Sequence, residues 1–427
     1  MGLGPWPTAV AASRPAADNV RSGSCPAPPF GPLTKLLVWG LKSFSHIRET
    51  PEHVPKERTM ARKSLALLLA ATLVALAALP SISQAAEQKK LKVAFALLWT
   101  IDDQGWTTAH YQGIEHLKQK LGDKIEISYT EKVRAPDAER VFRSYAQQGY
   151  DIIFGTTFEH MDPLLRVAKD FPDIKFEHCS GYKTAPNMGN YMGRMEQGEY
   201  LAGYMAGLMG FKNVGTVASQ PIPEPIRGIN AFTLGMLRGL GEAHHGHNPK
   251  AVNTVAWLNS WRDPINETTL AETLAARGHD LIRQMADTPD SALAACNAGK
   301  PAVGYGTDSS KFGASCTLVS TVWNWGPYYV KTVQSVLDGT WKPREYFGGF
   351  EDGVIGLSEF HSSVPAEVRK RVLAEKARME KGQDNSFAGP IKDQSGKVVI
   401  PAGKKATDQE LLTMQWFVEG VSGTIPK

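Results

Sequence analysis

From Leu91 onward the chain alternates short apolar runs with longer amphipathic ones. "LKVAFALL" (91–98) reads as a buried parallel strand. "TTAHYQGIEHLKQKLG" (107–122) then spaces Ala109, Ile114, Leu117 and Leu121 along one face of a helix that stops at Gly122. The alternation continues through a strand at 124–133, a helix at 135–150 with Pro136 in its first turn, and a strand at 151–158. A helix at 161–172, a strand at 174–181 and a Gly/Ala-rich helix at 196–210 follow. The rhythm then restarts with a strand at 213–222 and a helix at 226–243. A strand at 251–260, a helix at 266–278 and strands at 301–308 and 316–324 complete the second run. Strand–helix alternation of this kind predicts parallel sheets, and two successive runs predict two similar lobes.

Open parallel sheets bind ligands beyond the carboxyl ends of their strands, and two facing lobes bring those ends together at a cleft. Asp102, Asp103, Gln104, Gly105 and Trp106 fall just past the first strand, where a ligand would lie. Asp103, Glu159 and Asp308 each follow a strand. A carboxylate there can accept from ring N–H or amino groups, while Asp is also a good helix cap. Six of the ten tryptophans, Trp99, Trp106, Trp257, Trp261, Trp323 and Trp325, lie in or beside predicted strands. Trp99 and Trp257, inside strands, read as core, whereas Trp106, Trp261 and Trp325 in loops read as ligand contacts. An indole face suits a planar heterocycle, with stacking contributing on the order of 1–3 kcal/mol per base.

The 427 residues carry a formal net charge of +4, and the excess is local. Residues 1–86 hold nine Lys/Arg against four acids, which leaves 87–427 with 38 basic and 39 acidic residues and no nucleic-acid footprint. "MARKSLALLLAATLVALAALPSISQAA" (60–86) has the basic start, apolar middle and small-residue end of a secretory signal peptide. Residues 1–59 are rich in Pro, Gly and Ser, so they read as a disordered or non-native extension and Met60 as the start. Export permits disulfides, and Cys296 and Cys316 are candidates to close a loop, with Cys179 left free. No nucleophile elbow, phosphate loop or zinc-binding H-E-x-x-H helix occurs. The cluster His244, His245, His247 lies in a Gly/Asn/Pro-rich stretch and reads as solvated. No cofactor or metal is expected.

Several stretches together resemble the basic membrane protein family of substrate-binding proteins, which includes purine nucleoside receptors. They are "IDDQGWTTAHYQG", "GRMEQGEYLAGYMAG", "PIPEPIRGINAFTLGM", "NSWRDP", "GTDSS" and the tail from "SFAGPIKDQSGKVVIPAG" to "MQWFVEGV". The resemblance spans about residues 90–425. It implies an α/β protein like the type I periplasmic binding proteins, with two Rossmann-like lobes and a ligand cleft between them. The expected organisation is an N-terminal lobe at 90–212, joined by part of 323–355, and a C-terminal lobe at 213–322. A hairpin and helix at 356–427 pack on the lobes.

Within the family two aromatics sandwich a purine base, which puts Trp106 and Trp261 at the stacking positions, with Thr107 beside the first. The resemblance places Phe158 and Glu159 along the pocket and Asp308 where an acid holds ribose in nucleoside binders. Where those binders carry Lys, this chain has Asn324 between Trp323 and Trp325, so a free base is expected over a nucleoside. The expectation is a monomeric periplasmic protein that hands a purine-like ligand to the permease of an ATP-driven importer in the inner membrane. The alternatives are an exported nucleoside-processing enzyme or a ligand sensor on the same fold.

Overall fold

A computed structural model describes residues 89–244 and 250–426. The signal-peptide and extension readings, and His245 and His247, lie outside the described residues. Six strands build the first sheet: β1 (Leu91–Ala96), β2 (Ile125–Thr130), β3 (Ile152–Gly155), β4 (Lys175–Cys179), β5 (Met188–Gly193) and, much later, β11 (Glu345–Gly348). Their spatial order is β2-β1-β3-β4-β5-β11, all parallel. Helices α1 (Trp106–Leu121), α2 (Ala135–Gln147) and α3 (Met161–Asp170) are its crossovers. The apolar faces of α2 and α3 bury Val141, Phe142, Leu164 and Val167 against the sheet, in a cluster with Ile153 and Phe176.

After β5 the chain leaves this sheet. Helix α4 (Met195–Leu208) packs along α5 (Pro223–Ala243) and touches the strand Thr317–Trp323 of the second sheet. The change of sheet therefore comes one helix earlier than the expected boundary at 212. Gly203, Gly207, Gly235 and Gly239 line the α4–α5 contact, where an added Cβ would lie 1.9–2.5 Å from backbone carbonyls of the facing helix. Their missing side chains are what lets the two helix backbones approach.

The second sheet has β6 (Asn213–Ala218), β7 (Val252–Trp257), β8 (Leu281–Met285), β9 (Ala302–Gly306), β10 (Thr317–Trp323), β12 (Ile355–Leu357) and β15 (Val421–Ser422). Its order is β12-β10-β9-β8-β6-β7-β15, parallel except for β12. Helices α6 (Pro264–Ala276) and α7 (Asp290–Asn297) cover one face. Strand β8 and helix α7 come from the stretch 280–299, which the sequence pattern leaves undivided because Arg283 and Gln284 interrupt its apolar run. Arg283 is tolerated at 0% side-chain exposure because its guanidinium donates to the equally buried Glu199 on α4. Cys296 and Cys316 form a disulfide with their Cα atoms 5.3 Å apart, and Cys179 is free and buried.

Three connections run between the sheets, at 193–195, 323–326 and 348–355. Helix α8 (Gly326–Leu337) follows the second of them and packs on α1. This is the expected pair of Rossmann-like lobes. Beyond it, α9 (Ala366–Met379) packs on α4, and β13 (Ile391–Lys392) pairs with β14 (Val398–Ile400). After α10 (Asp408–Leu412) the tail ends in β15, on the outer edge of the second sheet. Among the described residues no helix is long and apolar enough to cross a membrane.

Candidate functional site

The loop after β1 turns sharply because Gln104 adopts a left-handed conformation at φ 65°. Asp103 then aims its carboxylate back at the start of α1. It accepts from the backbone N–H of Gly105, Thr107 and Thr108 at 2.9–3.0 Å, and from the Thr108 hydroxyl. It therefore caps the helix, satisfying donors that would otherwise be orphaned. Gly105 meets the other lobe: a Cβ placed on it would lie 1.7 Å from the Asp287 carbonyl oxygen. The Thr307 hydroxyl donates to the Gln104 carbonyl at 2.5 Å. The lobes thus touch, backbone against backbone, at the N-terminus of α1.

Trp106, the first residue of α1, is buried, and its indole N–H donates 2.7 Å to the Thr156 carbonyl at the end of β3. Its ring stands edge-to-face with His110, Trp323 and Trp325, centroids 4.7–5.8 Å apart. Trp325 is itself stacked, nearly parallel to both His110 and Trp323, with centroids 5.0 Å away in each case. Trp323 is the last residue of β10, so an indole from the second sheet completes a ring cluster in the first lobe. Burial, with His160 nearby, pulls the His110 imidazole well below its usual range, so it packs as a neutral ring.

Opposite this cluster lie the strand ends of the second sheet. Glu224, in the first turn of α5, accepts 2.6 Å from the Tyr305 hydroxyl at the end of β9. Asp287, two residues past β8, is 6% exposed. Burial, with Asp103 and Glu224 adding repulsion, pushes its carboxyl well above the usual range. Neither acid was singled out from the sequence. Glu224 sits in a Pro-Glu-Pro that reads as a helix start, and Asp287 in a loop whose position past a strand depends on recognising β8.

The other expected site residues scatter. The Thr107 hydroxyl is buried and accepts from the backbone N–H of Trp99. Phe158 is 54% exposed beside Tyr182, at the rim. Glu159 pairs with Arg134 at 2.9 Å, partly exposed. Trp261 is partly buried, and its carbonyl accepts from the Asp287 N–H. Asp308 caps the turn that follows it, accepting from the backbone N–H and the hydroxyl of Ser310. Asn324 is exposed and donates to the Gly353 carbonyl, turned away from the ring cluster, because alternation along the extended chain puts Trp323 and Trp325 inside and Asn324 outside. Trp325 is fully buried and is packing for Trp106, where a loop contact was expected. On α4 and just before it, Glu196 binds Arg227 and Arg194 binds Asp408.

Residues 90–384 match the family model described as ABC transporter substrate-binding protein PnrA-like. The chain belongs to this family. A purine-binding protein of Brucella abortus is 40% identical over 80% of this chain and 95% of its own length. A putative ABC transporter glucose-binding protein of Haloferax volcanii is 37% identical over 80% of this chain and 82% of its own. Among solved structures, an ABC transporter solute-binding protein from Conexibacter woesei superposes with a TM-score of 0.57 at 24% identity. It covers 69% of this chain and 97% of that one, which shows the fold. As an ABC transporter substrate-binding protein, the chain is a receptor and not an enzyme, it acts outside the cytoplasm, and its partners are a small-molecule ligand and a permease. Among the described residues no three His, Cys, Asp or Glu side chains gather as a metal site.

Proposed function

We propose that this protein captures a purine-type heterocycle in the periplasm, a free base in preference to a nucleoside, and delivers it to its importer. The observation that supports this best is the indole cluster of Trp106, Trp323 and Trp325 where the two lobes meet, with carboxyls facing it. Flat rings and hydrogen-bonding groups at one seam suit a planar, nitrogen-rich ligand. In this reading Trp106 and Trp261 offer ring faces, while Phe158 and Glu159 stand at the rim. Asp103, Thr107 and Trp325 hold the loop that carries Trp106, while Asp308 and Asn324 fix the turns past β9 and β10. The free-base preference rests on Trp323, whose ring fills the seam: a Cβ on Gly193 would lie 2.7 Å from it. The purine-binding relative points the same way, and the glucose-binding relative supplies the competing reading. Ligand binding would stabilise the closed arrangement that the permease recognises.

A thermal-shift and calorimetric screen of purine bases, nucleosides and hexoses tests this. A ligand at 100 times its Kd stabilises by about 2.7 kcal/mol. The expected outcome is a shift with free purines, lost in Trp106→Ala. A shift with nucleosides only would remove the free-base preference, and a shift with glucose alone would overturn the purine reading.

A further inference from the structure

Among the described residues two strands of the second sheet end in buried polar groups without a partner, and a third ends beside a carboxylate that receives no donor. The Ser219 hydroxyl, just past β6, and the Trp323 indole N–H, at the end of β10, are buried and without a hydrogen-bonding partner among the described residues. Between them in the sheet, past β8, stands Asp287, and among the described residues no donor reaches its carboxylate. Buried polar groups are ordinarily satisfied, and two unsatisfied ones flanking a carboxylate without a donor, along the β10-β9-β8-β6 edge of strand ends, mark a place suited to another molecule. Glu224 adds a fourth group. Burial raises its carboxyl, yet it keeps accessible surface, the combination expected of a side chain lining a space between the lobes. Only its Oε1 is engaged, by Tyr305. All of this faces the N-terminus of α1, since Gly105 abuts Asp287 and Trp106 abuts Trp323.

The charge around these acids is lopsided. Asp287 lies near Asp103, Glu224 and Glu267, with Arg262 as an opposing cation. Glu224 faces Glu196, Glu199 and Tyr305, and its neighbour Arg227 is already bound to Glu196. Neither acid forms a salt bridge among the described residues. Carboxylates so placed accept hydrogen bonds, repel anions and favour a ligand rich in N–H donors.

We propose that Glu224 and Asp287 read the ligand's N–H groups, so that the cleft selects an amino-bearing, donor-rich heterocycle over an oxidised, anionic one. This rests on the purine reading above. Donation to a carboxylate favours its ionised form, so binding displaces protons and tightens as pH rises through the range where these carboxyls titrate.

Calorimetry of the full chain with adenine and with urate, an anion at neutral pH, tests the proposal. The wild type is expected to prefer adenine by about 100-fold or more, and Glu224→Gln and Asp287→Asn each to shrink that preference by about tenfold. An amide in place of either acid offers a donor to urate and removes the repulsion. Wild-type adenine affinity should also climb as pH rises above the ordinary carboxylate range, a measurement that stands even if a variant fails to fold. An unchanged preference in both folded variants, or an affinity that is flat or falls with pH, overturns the assignment while leaving purine capture intact. No binding of any purine by the wild type overturns both.

Discussion

At the strand ends of the first sheet lie Trp106 and Thr156, backed by His110, Trp325 and Tyr329; at those of the second lie Ser219, Glu224, Asp287 and Tyr305. The first sheet is parallel and the second is parallel except for β12, and the loops past β1 and β8 meet where Gly105 abuts Asp287. The first lobe fills the space behind its cleft face with stacked rings. The second holds its interior with the ion pairs Arg283–Glu199 and Arg227–Glu196, each side chain at most 3% exposed. The difference teaches how one architecture divides labour. On the proposed purine reading, rings, mostly from the first lobe, offer faces that are indifferent to orientation and acids of the second supply direction, so neither lobe alone specifies a ligand.

The sharpest way to break this comparison is to remove one partner of a buried pair in the second lobe. Arg283→Met leaves Glu199 buried with only the Thr321 hydroxyl, and should cost about 3–5 kcal/mol in urea denaturation. Adding Glu199→Leu should recover most of that loss, because two apolar groups replace the pair. If the single substitution costs under about 1 kcal/mol, ion pairing is not what holds this lobe. Smaller, and again confined to the second lobe, is the disulfide. Replacing Cys296 and Cys316 by Ala reopens a loop of 20 residues and should cost about 3 kcal/mol, with hydrogen exchange rising first in β9 and β10.

Acidity separates the lobes in another way. In the first, burial lowers His160 to about 4 and His178 to about 3, and raises Glu177 to about 7. In the second, burial raises Glu267 to about 7. A depressed imidazole costs stability as pH falls below its unfolded value near 6.5. A raised carboxyl contributes stability that is complete below about 4.5 and is lost as pH rises to about 7. Glu177→Gln and Glu267→Gln should each flatten the alkaline side of the stability curve by on the order of 3 kcal/mol. Only first-lobe substitutions, His160→Gln or His178→Gln, should flatten the acid side. The smallest expected effect is at the rim. Glu159→Gln breaks a partly exposed bridge to Arg134 and should change stability by under about 1 kcal/mol.

Much of the fold could be read from periodicity, because strands such as Val93–Ala96 and Ile152–Gly155 are apolar on both faces. The hidden strands were those with polar or glycine-rich sequences, such as Leu281–Met285 and Met188–Gly193, whose character is set by partners distant in the chain. The site was half legible for the same reason. An indole after a strand announces itself, whereas Asp103 and Asp308 look the same in sequence whether they cap a helix or face a ligand. Glu224 and Asp287 acquire their meaning from Tyr305, Trp323 and Gly105, which fold up against them from far along the chain.

Both sheets are finished late. The outer strand of the first is Glu345–Gly348, and the two outer strands of the second are Ile355–Leu357 and Val421–Ser422. A chain emerging from its N-terminus can form most of either sheet, but it shows a bare edge on both until its last quarter arrives. An open edge is a template for pairing with other chains. The final residues therefore do more than decorate the second lobe: they cover the edge of β7 and leave a strand of only two residues outermost on that side. Cutting the gene between the lobes would yield neither half intact, and a truncation of only a few residues at the C-terminus would expose Val252–Trp257 to association.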